Sequence, residues 1–316
     1  MPALIVTSIE NPAPRVRRVE FAAADGGALP AFTAGAHIDL VLGNGEERSY
    51  SLLNDQGETH RYVIAVLREA EGRGASALVH DALRVGDVVL SSAPLNHFAL
   101  SEAGEFSLLI AGGIGITPLM SMAARLQALG KPYTLHYCAR SREEAAFVGD
   151  LEKRHGEKLK LTFDGGDPAR GLDVSAHVAT RPAAGHVYVC GPSGLIRAVR
   201  EAARDWPKGT VHYELFKGSE EDIAIRKDDR PFDIVLKKRG LTLNVPADKT
   251  ILDVLKAEGI KIKTLCRDGV CGTCTVALLS GKADHRDDFL GEDERETAIQ
   301  VCVSRAMPGE TLVLDL

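Results

Sequence analysis

Four of the six cysteines fall in the last 51 residues, and their spacing sets the first chemical expectation. Cys266, Cys271 and Cys274 follow a Cys-x4-Cys-x2-Cys pattern, and Cys302 comes after a further 27 residues. Three thiolates on one short loop, with a fourth from a distant part of the chain, is the plant-type arrangement for a 2Fe-2S cluster. A loop that wraps such a cluster must turn tightly while aiming N–H groups at sulfur, and Gly269 and Gly272 supply the backbone freedom. Zinc is the competing ion, but zinc sites use two paired couples of ligands, whereas Cys302 stands alone. His285 does not suggest a Rieske centre, because the chain has no Cys-x-His pair; it reads as a surface or turn residue.

Two glycine turns suggest a nucleotide. Ala111-Gly112-Gly113-Ile114-Gly115-Ile116-Thr117-Pro118 follows an apolar run and opens a helical pattern, where the helix N-terminus favours a pyrophosphate. It departs from the G-x-G-x-x-G fingerprint: counting from Gly113, the third glycine is replaced by Pro118, a good first-turn residue. Cys190-Gly191-Pro192 ends another apolar run in the same way. Ligands of open parallel sheets sit beyond the carboxyl ends of the strands, so Gly112, Gly113, Gly115, Cys190, Gly191 and Pro192 are expected to face one nicotinamide dinucleotide. Cys190 could approach the nicotinamide or simply close a strand, and Cys138 reads as core. After Cys138, Arg140 and Arg142 suit a 2'-phosphate while Glu143 and Glu144 oppose it, which leaves NADH and NADPH both open on residues alone.

A third constellation suits a flavin. In Arg48-Ser49-Tyr50-Ser51, Arg48 can pair with phosphate, Tyr50 can pack on an isoalloxazine ring, and Ser51 can hydrogen-bond near N5. Ala65-Val66-Leu67-Arg68 follows, and then Gly72-Arg73-Gly74-Ala75-Ser76 at a helix start, where free N–H groups favour an anion. An ordinary strand and an ordinary capped loop would explain each piece alone; their order is what points to flavin. A hydride carries two electrons and the cluster accepts one, so a flavin between them meets the mismatch.

These residues need three kinds of element to position them. Up to about residue 100, strand-like runs at 15–21, 37–42, 48–53 and 61–67 alternate with Gly-rich or Pro-rich turns, which predicts a small antiparallel β-barrel. A helix fits at 75–83 and a further strand at 88–91. Apolar runs at 106–111, 133–138, 159–163 and 187–190 then alternate with helix-length stretches, the rhythm of an α/β parallel sheet with crossover helices. The first of these helices, 118–129, carries Leu119, Met122, Ala123 and Leu126 on one core face, with Gly130 as its stop. Nine charged residues among 217–230 read as a linker. An α+β module follows, with a hairpin of 232–237 and 241–245 around Arg239-Gly240 and a helix over 250–258 capped by Thr250 and stopped by Gly259. The expected domains are 1–101, 102–226 and 227–316.

A length of 316 residues allows several cores, and 45% apolar with 26% charged residues excludes disordered and fibrous classes. A net charge of -6 leaves no polybasic surface for nucleic acid. The four-residue apolar run near the start is too short for a signal-peptide core, and nothing approaches the roughly 20 apolar residues of a membrane span, so a cytoplasmic protein without a membrane anchor is expected. A modular carrier needs no second copy, and a monomer is expected. The run 284–296, with seven acidic and two basic residues, reads first as a solvated face and second as a steering surface for a partner.

Together these segments resemble the phthalate dioxygenase reductase family across essentially the whole chain: Arg48 to Leu52, Gly72 to Ser76, Gly112 to Pro118, Cys190-Gly191-Pro192, the four cluster cysteines and the ending Val313-Leu314-Asp315-Leu316. The resemblance implies a barrel that binds FMN, a NAD domain of the ferredoxin-reductase type, and a C-terminal ferredoxin with a β-grasp fold. It also implies NADH as donor and a terminal Rieske-type oxygenase or demethylase as partner. By the same resemblance Thr117 and Phe216 lie near the flavin, with Phe216 arriving on a strand over 212–216, and Ser51, Thr117 and Cys190 act at the reacting centre. Ala75 departs from a glycine frequent in relatives, and Thr264-Leu265 are bulkier than the small residues frequent before the first cluster cysteine. Two other readings keep the cofactors but change the role: a reductase serving a cytochrome P450, and a redox-sensing carrier without turnover.

Overall fold

The computed structural model describes residues 1–316 apart from 44, 46, 70–73, 180–183, 217–224, 227, 265, 266 and 268. The chain divides into two compact units, Met1–Glu214 and Leu215–Leu316.

The N-terminal unit contains two sheets. The first is antiparallel, with strands β1 (Ala3–Ala13), β2 (Val16–Ala23), β3 (His37–Val41), β4 (Glu47–Ser51), β5 (Tyr62–Leu67) and β6 (Val88–Ser91) in the order β4-β3-β6-β1-β2-β5. Its two edges meet where the Leu53 N–H donates to the Val63 carbonyl at 3.0 Å, which curls the sheet toward a barrel. Leu4, Val6, Val19, Phe21, Ile38, Leu40 and Ile64 fill it, each almost fully buried and alternating with outward residues. Helix α1 (Ala75–Asp81) ends two residues before the stretch expected for it. In this sheet β1 is the strand that the sequence pattern did not yield. Its alternation is broken by register shifts between Val6 and Ser8 and between Glu10 and Ala13, and Pro12 argues against a strand.

The second sheet is wholly parallel: β7 (Phe106–Gly112), β8 (Tyr133–Ala139), β9 (Leu159–Phe163), β10 (Gly185–Cys190) and β11 (Val211–Glu214), in the order β11-β10-β7-β8-β9. The connecting helices are α2 (Ile116–Ala128), α3 (Val148–His155), α4 (Val174–Ala179) and α5 (Ser193–Ala202). The core face expected for α2 is real: Leu119, Met122, Ala123 and Leu126 are buried, and Gly130 turns left-handed at φ 65° just past its end. Strand order reverses between β7 and β10, which is the position where an open α/β sheet forms its crevice.

This sheet also carries an acid-sensitive histidine. His136 of β8 is buried, and its ring lies 4.3 Å from that of His177 on α4. Burial, with smaller contributions from His177 and Lys160, pushes His136 down to about 4. The unfolded chain therefore takes up a proton near pH 6.5 that the folded ring refuses until about 4, so stability is lost as pH falls through that window. Melting temperatures across pH 4–7 are expected to fall more steeply for the parent than for His136→Leu.

In the C-terminal unit, β12 (Phe232–Leu236), β13 (Leu241–Val245), β14 (Thr275–Ser280), β16 (Ala298–Gln300) and β18 (Leu312–Leu314) form one mixed sheet in the order β13-β12-β18-β14-β16, with β15 (Ala283–Asp284) and β17 (Arg305–Ala306) pairing beside it. β12 and β18 run parallel and the other pairs antiparallel, as in a β-grasp. Helix α6 (Ile251–Ala257) starts on a capping box: the Asp253 N–H donates to Thr250 Oγ1 at 3.1 Å and the Thr250 N–H to Asp253 Oδ2 at 3.2 Å. Ile251, Leu252 and Leu255 bury its apolar face among Ile234, Leu236, Val276 and Leu314. Among the described residues, no helix is long and apolar enough to cross a membrane.

Candidate functional site

At the switch point of the parallel sheet the two glycine turns touch. A Cβ on Gly191 would lie 2.8 Å from Gly112 Cα, and one on Gly115 would fall inside the contact distance of the Cys190 carbonyl. Gly113 differs: its surroundings are open, and its φ of 54° is what calls for glycine. Gly112, Gly115, Cys190, Gly191 and Pro192 thus share one small volume at the carboxyl ends of β7 and β10, where the Pro192 ring and the Leu195 side chain also close on Gly112. Gly115→Ala forces backbone apart rather than a flexible side chain, so it is expected to cost about 1–3 kcal/mol and to weaken dinucleotide binding, both readable by thermal melting with and without NADH.

The first sheet brings β4 to the same unit's β11. Ser51 is buried, and its Oγ donates to Glu214 Oε2 at 3.3 Å. Glu214 is the β11 partner of Cys190 in the parallel register. It is half-buried, and burial pushes its carboxyl up to about 8 against the lowering effect of Ser51. Cys190 is fully buried, and burial first, with Glu214 second, raises its thiol well above the usual range. Both groups are therefore neutral near pH 7. Glu214 is the site residue that the sequence reading missed. An acid on a short strand beside Tyr213 was a usable signal, since an unpaired carboxylate is costly to bury.

The remaining expected flavin residues fall as follows. Arg48, Ser49, Tyr50 and Ser51 all lie on β4, paired with Leu40, Asp39, Ile38 and His37 of β3. Ser49 is exposed and donates to the buried Asp39 at 2.7 Å. Tyr50 is half-buried, and burial pushes its hydroxyl up to about 12 although Arg48 opposes the shift. Ala65, Val66 and Leu67 are on β5, with the Val66 carbonyl bound to His80 Nε2 at 2.8 Å. Gly74 precedes α1 at φ 94°, Ala75 is buried, and Ser76 Oγ accepts the Glu69 N–H at 3.1 Å. Gly72 lies outside the described residues. Thr117 is buried in the first turn of α2, its hydroxyl donating to the Ile114 carbonyl at 3.1 Å. The strand expected over 212–216 stops at Glu214, so Phe216 is not a strand residue; it is exposed and belongs to the C-terminal unit. Cys138 is half-buried rather than core, with its thiol raised to about 11, chiefly by burial.

In the C-terminal unit, Cys274 and Cys302 are buried with their sulfurs 3.1 Å apart, although 28 residues separate them in sequence. The Cys302 sulfur beside it holds the Cys274 thiol below its usual range. Cys271 Sγ lies 3.0 Å from Thr273 Oγ1, and Cys266 is outside the described residues. Among the described residues no three His, Cys, Asp or Glu side chains converge as a metal site. The donor set fits a cluster in its chemistry, being thiol sulfur on a loop with glycines where nothing larger is accommodated. Gly269 has φ 71° and a Cβ there would meet Val303 at 2.7 Å; Gly272 has φ 73° and lies against the Phe289 ring. His285 is tied inward, its Nε2 3.0 Å from the Arg295 carbonyl. The acidic run divides: Asp284 pairs with Arg286, and Asp287 is buried and accepts the Ser304 hydroxyl, while Glu292, Asp293, Glu294 and Glu296 are exposed.

A dinucleotide crevice at a sheet switch point and a β-grasp unit with paired thiols define an oxidoreductase that moves electrons between a pyridine nucleotide and an iron-sulfur centre. Family models agree on both parts: an oxidoreductase NAD-binding domain matches residues 109–201 and a 2Fe-2S iron-sulfur cluster binding domain matches residues 234–307. The chain belongs to the phthalate dioxygenase reductase family. It is 41% identical over 315 residues to phthalate dioxygenase reductase of Burkholderia cepacia, covering 99% of this chain and 97% of that protein. The solved structure of a phthalate dioxygenase reductase, described as modular for electron transfer from pyridine nucleotides to [2Fe-2S], matches with TM-score 0.78 at 40% identity over 99% of this chain and 97% of that one. An intact type IV self-sufficient cytochrome P450 monooxygenase matches with TM-score 0.81 at 36% identity, over all of this chain and 41% of the other.

Proposed function

We propose that this protein is the NADH-dependent reductase of a Rieske-type oxygenase or demethylase system, with FMN and a 2Fe-2S cluster as its cofactors. The observation that carries the reading is the meeting of Ser51, Glu214 and Cys190 beside the two glycine turns, which gathers the expected flavin and nicotinamide residues in one unit. FMN, when bound, supplies the exchange between a two-electron donor and a one-electron acceptor.

The chain's own residues do the rest. The backbone at Gly112, Gly113, Gly115 and Gly191 lets a dinucleotide approach closely, and Cys190 keeps the floor of the crevice apolar and neutral. Ser51 and Glu214 hold a proton between them at the end of β4, and buried Thr117 fixes the first turn of α2. Cys266, Cys271, Cys274 and Cys302 are assigned to the iron. The domain division proposed with this reading is 1–101, 102–226 and 227–316, and the protein works as a monomer in the cytoplasm. NADH is favoured over NADPH because Arg142 is engaged with Glu152 at 2.6 Å.

Anaerobic titration of the purified protein with NADH, followed optically and by low-temperature EPR, tests the reading: the flavin should bleach and a reduced-cluster signal should appear in turn. A flavin that bleaches while the iron stays oxidised would overturn it. The P450 match favours a second acceptor class, and comparing reduction rates of an oxygenase and a P450 separates the two.

A further inference from the structure

The charged stretch ahead of the C-terminal module is not solvated throughout, and its end carries a buried ionic joint. Asp229 keeps only 5% of its side chain exposed. Its carboxylate accepts two hydrogen bonds from Arg286, at 2.6 and 2.9 Å, and lies 3.5 Å from Arg305 Nε. Arg286 also donates to Asp284 at 2.7 Å. Arg305 is 2% exposed and reaches the carbonyls of Lys249 at 2.6 Å and of Arg230 and Pro246 at 3.1 Å. Buried Asp229, with the partly exposed Asp284 at the rim, thus balances two buried guanidiniums, and losing Asp229 strands their charge.

Both arginines lead to the cluster loop. Arg286 precedes Asp287, whose Cα would lie 3.1 Å from a Cβ on Gly269, and the Asp288 N–H donates to the Gly269 carbonyl at 3.1 Å. Phe289 then lies on Gly272, between Cys271 and Cys274. Arg305 stands three residues after Cys302 and pairs with Asp284 across β15 and β17. Outer contacts of this kind tune a metal centre through the orientation and solvent exposure of its ligands.

We propose that Asp229 is a positioning residue for the cluster loop: through Arg286 and Arg305 it ties the early part of the C-terminal unit to the packing around Gly269, Gly272 and Cys302. The inference rests on the cluster assignment but not on the flavin. The EPR signal of the dithionite-reduced parent reports separately whether the cluster is present.

The test compares full-length holoprotein carrying Asp229→Asn, Asp229→Glu and Asp228→Asn, the last removing the same charge one residue away at an exposed position. Asp229→Asn should change the g-values or linewidth of the reduced cluster and speed iron loss to a chelator by roughly 10-fold. Asp229→Glu should recover most of the parent behaviour, and Asp228→Asn should match the parent. An Asp229→Asn protein with lowered melting temperature but parental EPR and parental iron loss overturns the proposal, since that is the mark of a merely structural pair. If Asp229→Asn yields no folded protein, Arg286→Lys decides in the same way, because it keeps the charge and loses the two-point contact.

Discussion

Cys274→Ser protein is expected to accept hydride from NADH at close to the parental rate and yet to fail in delivering electrons to a one-electron protein acceptor. The reason lies in which unit carries each set of residues. Ser51, Glu214, Cys190 and the glycine turns belong to the unit ending at Glu214, and Cys274 belongs to the next, where it packs with Val276, Ile299 and Cys302. Serine is close in size to cysteine, so the fold of the second unit should survive. What changes is the ligand: the Cys274 sulfur lies 3.1 Å from that of Cys302, whose hydrogen bond holds the Cys274 thiol below its usual range. A hydroxyl would stay protonated there. Loss of an outer contact alone weakens metal binding by roughly 10- to 100-fold, and loss of a ligand should cost at least that much.

The measurement is a pair of assays on one preparation. Ferricyanide reduction reads the flavin step, and reduction of cytochrome c or of the terminal oxygenase reads the cluster step. The first should stay within about twofold of the parent and the second should fall on the order of 100-fold. Equal losses in both would mean that the thiol supports the fold of the whole chain rather than an electron path. Full retention of both would remove Cys274 from the ligand set.

How far the residues announced these sites follows from what each signal is made of. The glycine turns were readable because close backbone approach admits no Cβ, and the contacts of Gly115 and Gly191 bear this out. The parallel strands were readable because a strand buried on both faces is a short continuous apolar run, as at 106–111 and 187–190. β1 was not, since its bulges and Pro12 hide the alternation that its partners β2 and β6 complete. Asp229 and Glu214 were missed for the same reason: each is an acid whose meaning comes from a partner 57 or 163 positions away. Local charge density read Asp229 as solvated linker, and only the fold supplies the arginines that enclose it. The acidic run near the cluster was half legible, with Glu292 and Asp293 outward as a solvated face requires and Asp287 turned inward.

The pH dependence of hydride transfer turns on Glu214. Its carboxyl titrates near 8 in the folded protein, so at pH 7 it holds its proton and can share hydrogen bonding with Ser51 as a neutral partner. Above that value a negative charge appears in a poorly hydrated space beside Cys190 and the switch point. Such a charge disfavours added electron density on a neighbouring flavin, and the rate of anaerobic flavin reduction by NADH should fall through a pKa near 8. Glu214→Gln has the shape of the protonated acid and cannot ionise, so its rate should stay within about threefold of the parent at pH 7 and remain flat to pH 9.5. Glu214→Ala leaves the Ser51 hydroxyl without its partner and should be slower by roughly 10- to 100-fold at every pH. Stability carries the same sign. A carboxyl whose folded pKa is raised contributes most below the unfolded value near 4.5 and loses that contribution as pH rises through 8, so the parent should lose melting temperature over this interval while Glu214→Gln does not. Stopped-flow traces of flavin absorbance across the same pH range read the kinetic half. A Glu214→Gln profile that keeps the parental fall near pH 8 would move the titrating group elsewhere and leave Glu214 with no part in hydride transfer.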